Sequence, residues 1–492
     1  MAQIEQQPVD EKVIGTAYGQ PTTDDGLKET GSVSVMPQID PAKEKILLAK
    51  LDLMFNPIIM LVYLSCFLDR SNIGNVKVAG MPEDIGASDQ QFSTAVSIFY
   101  ATYVTFETPF AILLKKLTPR LLLASLCVVW SLTTIFSGFI QNVGGLYASR
   151  LVLGACEAGL FPSLTLYLTM VYKRDEQAKR VAYLFSCTAL AGAFGGLLAY
   201  ALLQMDGVAG YAGWRWVYII EGIFSAVIAV AVWFGLPTNP AEAWFLTPEQ
   251  KGFMRIRQEQ AAQYMGSDEF SWEEVRIAFK DPKVYLSATI QFCQDILLYG
   301  FSTFLPAILK GAGYNTLESN YLTVPVYIFG GLAFVIAAII SDRLRLRSPF
   351  VLFANLFGIA GYIVLLTVST DGVRYFATFL CAVAVYNGPG LNVTWLNVNV
   401  APHYRRATSI GFQQTIANTA GIVAGQIYRK SPYKLGHSFS LGALCLAQVV
   451  IVGKMFYIKQ WNTKKDRIAR GEIEDTRKVK TGDRELDFRY HL

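Results

Sequence analysis

The residues that invite chemistry in this chain are charged groups set inside long apolar runs. Arg150 and Glu157 share one such run, SRLVLGACEAGLFPSL. Seven residues is close to two turns of an α-helix, so both side chains lie on one face, about 10 Å apart along the axis. Each ionisable group at the centre of a membrane helix costs roughly 2.5–3.5 kcal/mol on insertion scales and is kept mainly for function. Such a face lines a cavity or meets partner helices. A guanidinium offers a planar, permanently charged fork for a carboxylate, and a glutamate in a poorly hydrated cavity can load and release a proton. The competing reading is a structural ion pair that locks this helix to a neighbour.

Other candidates are less sharply defined. Asp69 and Arg70 close an apolar segment in CFLDRSNIGNVKVAG. If the helix stops at Leu68 they form an interfacial pair; if it runs on through Val78, Arg70 faces the cavity. Glu107 and Glu221 are further acids within apolar stretches. Glu221 follows Arg215 by six residues, which places the two on different helix faces and predicts a partner on another helix. Asp295, beside Gln294 in QFCQDILLYGF, is the only deep acid of the C-terminal half. Asn392 and Trp395, with Asn387, Asn397 and Asn399 around a Gly-Pro-Gly break, could contact a polar organic solute or hydrogen-bond neighbouring helices. Gly154 and Gly159 flank Glu157, which suits close helix approach, and Pro162 invites a kink. None of His403, His437 and His491 is deep in an apolar segment, so proton coupling would rest on carboxylates.

Absent motifs narrow the field. No GxxxxGK[ST] loop suggests an ATP-driven pump, and no HExxH or GxSxG centre suggests an enzyme. The seven cysteines form no CxxC or Cys/His cluster and read as small, membrane-buried residues. No metal and no cofactor is expected.

The elements that must hold these groups are long apolar helices. Of 492 residues, 52% are hydrophobic and 16% charged, against roughly 25% charged in a soluble domain, and the mean hydropathy is +0.33. A hydrocarbon core of about 30 Å needs a helix of about 20 residues. Twelve segments qualify, near 54–76, 92–114, 121–140, 147–171, 181–203, 216–236, 284–307, 321–341, 349–369, 373–396, 407–427 and 439–459. The pattern predicts an all-α polytopic membrane protein with 12 transmembrane helices in two pseudo-symmetric six-helix halves. The expected organisation is a disordered tail at 1–50, halves at 51–236 and 284–460, a polar linker at 237–283 and a tail at 461–492. Residues 1–45 carry no apolar h-region, so no cleavable signal peptide is expected. Lys and Arg are richer in the loops on the tail side, among them Lys115, Lys116, Arg180, Arg347 and Arg405, so both tails and the linker are expected in the cytoplasm. The net charge of +5 is spread over both ends and suggests no nucleic-acid partner. A monomer in the lipid bilayer of the plasma membrane is expected.

Three separated stretches, FLDRSNIGNVKVAGM, RLVLGACEAGLFPSLTLYLTMVY and GWRWVYIIEG, resemble the major facilitator superfamily. More narrowly they resemble its anion:cation symporter branch, in the fungal allantoate-permease-like group. SDRLRLR after the eighth segment is similar to the superfamily's loop motif, whereas LLKKLTPR lacks the usual aspartate. Gln294 stands where related animal anion carriers have an arginine. The resemblance implies proton-coupled uptake of a small organic anion (a carboxylate, ureide or vitamin) by rocking of two halves. It also implies Arg70 and Arg150 as anion-binding residues and Glu157 as the proton-linked acid. A proton-exchange exporter of a secondary metabolite is the alternative on the same fold, and a non-transporting nutrient sensor is a third.

Overall fold

The computed structural model describes residues 39–114, 117–265, 272–475, 477 and 479–492; the expected N-terminal tail as far as residue 38, and Lys115 and Lys116, lie outside them. Twelve long helical segments follow the apolar pattern. They are α1 (Pro41–Val78), α2 (Asp89–Leu113), α3 (Pro119–Ser137), α4 (Val143–Val171), α5 (Arg174–Leu203) and α6 (Gly213–Gly235). After the linker come α7 (Pro282–Gly311), α8 (Thr316–Leu344), α9 (Ser348–Thr367), α10 (Asp371–Val398), α11 (His403–Asn418 with Ala420–Ile427) and α12 (Lys434–Ala469). Among the described residues, nine helices are long and apolar enough to cross a membrane. Polar residues interrupt the apolar runs of α2 and α11, the described apolar part of α5 is Leu190–Leu203, and no strand occurs among the described residues.

Local chemistry explains where the helices start and break. Asp40 caps α1 through its carboxylate, which accepts the N–H of Ala42. The helix then runs to Val78 without stopping at Leu68, so Asp69 and Arg70 sit within it and not at an interface. α4 is broken at Gly159. Pro162 has no N–H to offer the carbonyl one turn earlier, so the ladder is interrupted on the side facing Ala158. The Gly-Pro-Gly of α10, expected to be a break, is carried inside one continuous helix.

Glycines let α1–α6 and α7–α12 meet at the end of the bundle remote from the described termini, here called the far end. A Cβ on Gly74 of α1 would stand 1.7 Å from the Thr303 carbonyl oxygen of α7, and one on Gly196 of α5 would stand 2.7 Å from the Asn320 carbonyl oxygen of α8. Only a residue without a side chain permits that approach. Polar contacts complete the seal. The Lys310 ammonium donates to the Val78 carbonyl at 2.7 Å, Gln426 donates to the Ser97 hydroxyl at 2.9 Å, and that hydroxyl donates to the Ile422 carbonyl.

The tail end is organised separately on each side. Arg257, in the linker helix Pro248–Met265, pairs with Glu44 and Glu176. Arg405 of α11 pairs with Glu274 of the helix Trp272–Phe279. α12 extends ten residues beyond its expected end at 459, and the segment after it folds back beneath α7, α10 and α11. There Asp483 is fully buried between Lys283 and Arg405.

Candidate transport site

A cavity of about 350 Å³ lies between the two groups of helices. Arg70 and Glu157 face one another on its α1–α4 wall, and Asp295 and Gln291 belong to its α7 wall. Aromatic rings supply much of the rest, among them Tyr63, Phe67, Tyr103, Tyr299, Tyr327 and Tyr386. Pro389 and Gly390 bring the α10 backbone to the cavity edge.

The arginine is held from several sides. Its Nη2 and Nε donate to Glu157 Oε2 at 2.7 and 3.2 Å. The rings of Phe67, Tyr103 and Phe99 stand 4.8, 5.2 and 5.3 Å from the guanidinium carbon, within reach of cation–π attraction. Cys66, one turn earlier on α1, donates its thiol to the same Glu157 oxygen at 3.0 Å. Glu157 Oε1 is buried without a hydrogen-bond partner. Pairing with Arg70 offsets much of the cost of burying the carboxylate, while the second oxygen is buried with its acceptor capacity unused.

The helix turn separates Asp69 from Arg70 by about 100°, so neighbours in sequence point to different places. Asp69 accepts from the Trp130 indole of α3 and from the Ser225 hydroxyl of α6 at 3.2 Å, tying α1 to its own half. Arg70 turns to the cavity.

Arg150 and Glu157 do share a face of α4, yet they do different things. Arg150, 2% exposed, donates to the Tyr218 hydroxyl at 2.8 Å and borders a small separate void with Arg70, Phe99, Tyr100 and Thr303. It does not line the main cavity. The cation that meets Glu157 is thus Arg70 of α1, an ion pair between α4 and a neighbouring helix, and Arg150, two turns away on the same face, is not part of it.

The remaining candidates divide. Glu107 lines the cavity and accepts from Asn418 across it at 3.4 Å. Glu221 accepts from Asn72 of α1, a partner on another helix as its spacing required, while Arg215 binds Asp84 and the carbonyls of Gly138 and Ile140. Gln294 faces away, donating to Asn355 at 2.8 Å. Asn392 and Trp395, expected at the solute, are fully buried below the cavity. Asn392 donates to Gln291 and Trp395 to the His491 carbonyl, because the face of α10 that carries them turns toward α7 and α12. Six cysteines are buried within the protein, and Cys445 lies on the outer surface of the apolar helix α12. Sequence inspection passed over Cys66, whose spacing of four from Arg70 was the available signal, and Lys454, a lone cation within an apolar segment.

Comparison with known proteins now bears on this geometry. The family model described as Major Facilitator Superfamily matches residues 59–425. An uncharacterised transporter of Schizosaccharomyces pombe is 51% identical over 91% of this chain and 90% of its own length. The high-affinity nicotinic acid transporter of Saccharomyces cerevisiae is 33% identical over 91% of this chain and 82% of its own. Among solved structures, a bacterial homologue of the human lysosomal transporter Spinster, inward-facing and occupied, superposes with a TM-score of 0.63 at 16% identity, covering 85% of this chain and 97% of that one. A D-xylose–proton symporter gives 0.62 at 14% identity, over 82% and 97%. A helical bundle sealed at one end around a central charged cavity, a family match along most of its length and relatives named as transporters agree: this multi-pass membrane protein belongs to the Major Facilitator Superfamily.

Proposed function

We propose that this chain is a proton-coupled carrier that takes up a small organic anion by alternating access. The observation that carries the reading is the Arg70–Glu157 pair on the cavity wall. In this state the carboxylate of Glu157 occupies the guanidinium that a substrate carboxylate would need. Protonation of Glu157 removes the negative charge and frees Arg70's fork for the substrate. Loss of that proton on the other side restores the internal pair and expels the anion. One acid thus exchanges a proton for possession of the arginine.

The aromatic walls favour an anion with a planar ring, and a relative at 33% identity is named for nicotinic acid. The far-end seal makes this one conformer of the cycle. Arg150, behind Arg70, meets the anion when that end opens. On this reading the termini and linker face the cytoplasm and the protein resides in the plasma membrane, with the helices before and after the linker rocking as two bodies.

The test is uptake of labelled carboxylates, ureides and vitamins, nicotinate included, in a transport-deficient yeast. Arg70→Ala should reduce uptake of the accepted anion at least ~100-fold, the scale of a lost charged contact of about 3 kcal/mol. Glu157→Gln should leave binding but make it indifferent to a protonophore. Wild-type uptake that ignores the protonophore, or persists in Arg70→Ala, ends this reading.

A further inference from the structure

Between the cavity and the tail end, α7, α10, α11 and α12 enclose a second polar cluster that the exchange at Glu157 does not use. Lys454 of α12 is fully buried there. Its ammonium lies 3.6 Å over the Trp395 ring and donates to the Ser287 hydroxyl at 3.1 Å. Among the described residues no carboxylate stands within ion-pair distance of it. A buried ammonium without a counter-charge is expensive, so the question is where its charge is answered.

From the Ser287 hydroxyl a path of side-chain hydrogen bonds leads to Asp295. The hydroxyl donates to Asn392 Oδ1 at 3.1 Å. Asn392 Nδ2 donates to Gln291 Oε1 at 2.8 Å, and Gln291 Nε2 donates to Asp295 Oδ1 at 3.2 Å. Gln413 braces the middle, donating to the Ser287 hydroxyl at 3.1 Å. Along this side-chain path each donor hydrogen points toward Asp295, which lies on the cavity wall, while Asn392 Nδ2 also donates back to the Ser287 carbonyl at 3.0 Å. Ser287, Gln291 and Asp295 stand at i, i+4 and i+8 of α7, a span of roughly 12 Å. Chains of aligned hydrogen bonds in a low-dielectric interior polarise one another. A cation is favoured at the donor end and a carboxylate at the acceptor end, so each charge supports the other without contact.

We infer that Lys454 is the resident counter-charge of Asp295, and that this relay makes Asp295 a second proton-accepting group of the cavity, opposite Glu157. Lys454 is a positioning residue; Asp295 is the group that meets the proton. The inference rests on the cavity being the transport site. Other charges and titratable groups are accounted for. Asp295 faces Tyr299 on its own helix, Tyr100 from α2, and Arg70, Glu107 and Glu157 of the cavity. α8 and α10 present Tyr327 and Tyr386. Lys454 faces Lys283 of α7, itself neutralised by Asp281 and Asp483.

The test needs no solute. The purified full-length protein in lipid vesicles is titrated with acid while infrared difference spectra record the carbonyl stretch of protonated carboxylic acids. Asp295→Asn should delete one titrating band. Lys454→Met should move that band's midpoint up by about one pH unit, a tenfold change in proton affinity, and Lys454→Arg should restore it. Ser287→Ala, which cuts the first link and keeps the lysine, should move it the same way by less, and it decides the matter if Lys454→Met does not fold. An unmoved midpoint in a folded Lys454→Met or Ser287→Ala protein, or a full set of bands in Asp295→Asn, overturns the inference. Because these bands are read without solute, failed anion uptake with the expected band shifts would count against the transport reading alone.

Discussion

At the scale of single residues, neighbours in sequence and neighbours in space part company. Asp69 and Arg70 are adjacent, yet one ties three helices together and the other stands in the cavity. Arg150 and Glu157 share a helix face, yet the acid finds its cation on α1 and the arginine finds a phenol on α6. Arg150 Nε already lacks a hydrogen-bond partner, so its attachment to Tyr218 carries weight. Tyr218→Phe should lower stability by about 1.5–3 kcal/mol, the range for a hydrogen bond to a charged group. Denaturant unfolding of the reconstituted protein measures this, and an unchanged midpoint would show that Arg150 is held by other means. That an acid and two arginines lay inside apolar helices was legible from residue types alone. Which arginine meets the acid was not, because the crossing height of two helices depends on packing along their whole length.

At the scale of elements, closure depends on backbones that touch. α1 approaches α7 at Gly74, α5 approaches α8 at Gly196, and α2 approaches α11 at Gly425, where a Cβ would stand 3.1 Å from the Ser97 backbone nitrogen. A side chain on Gly74 has no room to adjust, since the obstacle is the Thr303 carbonyl and not a flexible tip. Gly74→Val should therefore hold the far end apart. Spin labels at Ala87, between α1 and α2, and at Leu317, in the first turn of α8, should report a longer distance than in the parent protein, with uptake falling at least ~10-fold. A distance distribution identical to the parent's would show that the seal does not rely on this contact. The order of the helical segments and their rough bounds were legible because each must span a fixed thickness. The glycines could be recognised as packing residues but not assigned partners.

At the scale of the whole molecule, the tail end carries a charged clasp. Asp483 accepts from Lys283, Arg405 and the Tyr490 hydroxyl, and the Lys465 ammonium donates to the carbonyls of Asp483 and Phe488, both at 2.7 Å. Burial by itself would push the Asp483 carboxyl up, but Lys283, Arg405 and Arg484 outweigh it and hold the group below the usual carboxylate range. A depressed folded value means that the stabilisation is complete above the unfolded value of about 4 and disappears as pH falls below it. Protection of the amides of residues 479–492 against hydrogen exchange, taken relative to the intrinsic rate at each pH, should therefore be high at neutral pH and fall on acidification below about pH 4. Asp483→Asn should loosen the clasp already at neutral pH, by about 3–5 kcal/mol, because buried cations lose their counter-charge. Low protection that does not change with pH would show the segment to be undocked in solution.

By itself the sequence determined the class of molecule: apolar lengths matched to a bilayer, twelve helical segments, and a short set of intramembrane charges that cannot face lipid. Those properties are local, since they follow from how many residues cross a given thickness and what each would cost there. Only the tertiary structure decided that Arg70 and not Arg150 holds Glu157, that Asn392 and Trp395 lie beneath the cavity, and that Lys454 is joined to Asp295 through Ser287, Asn392 and Gln291. Each of those outcomes needs side chains from helices far apart in the chain to arrive at one height and one rotation. Helical periodicity records where a side chain points on its own axis and is silent about which neighbour stands opposite.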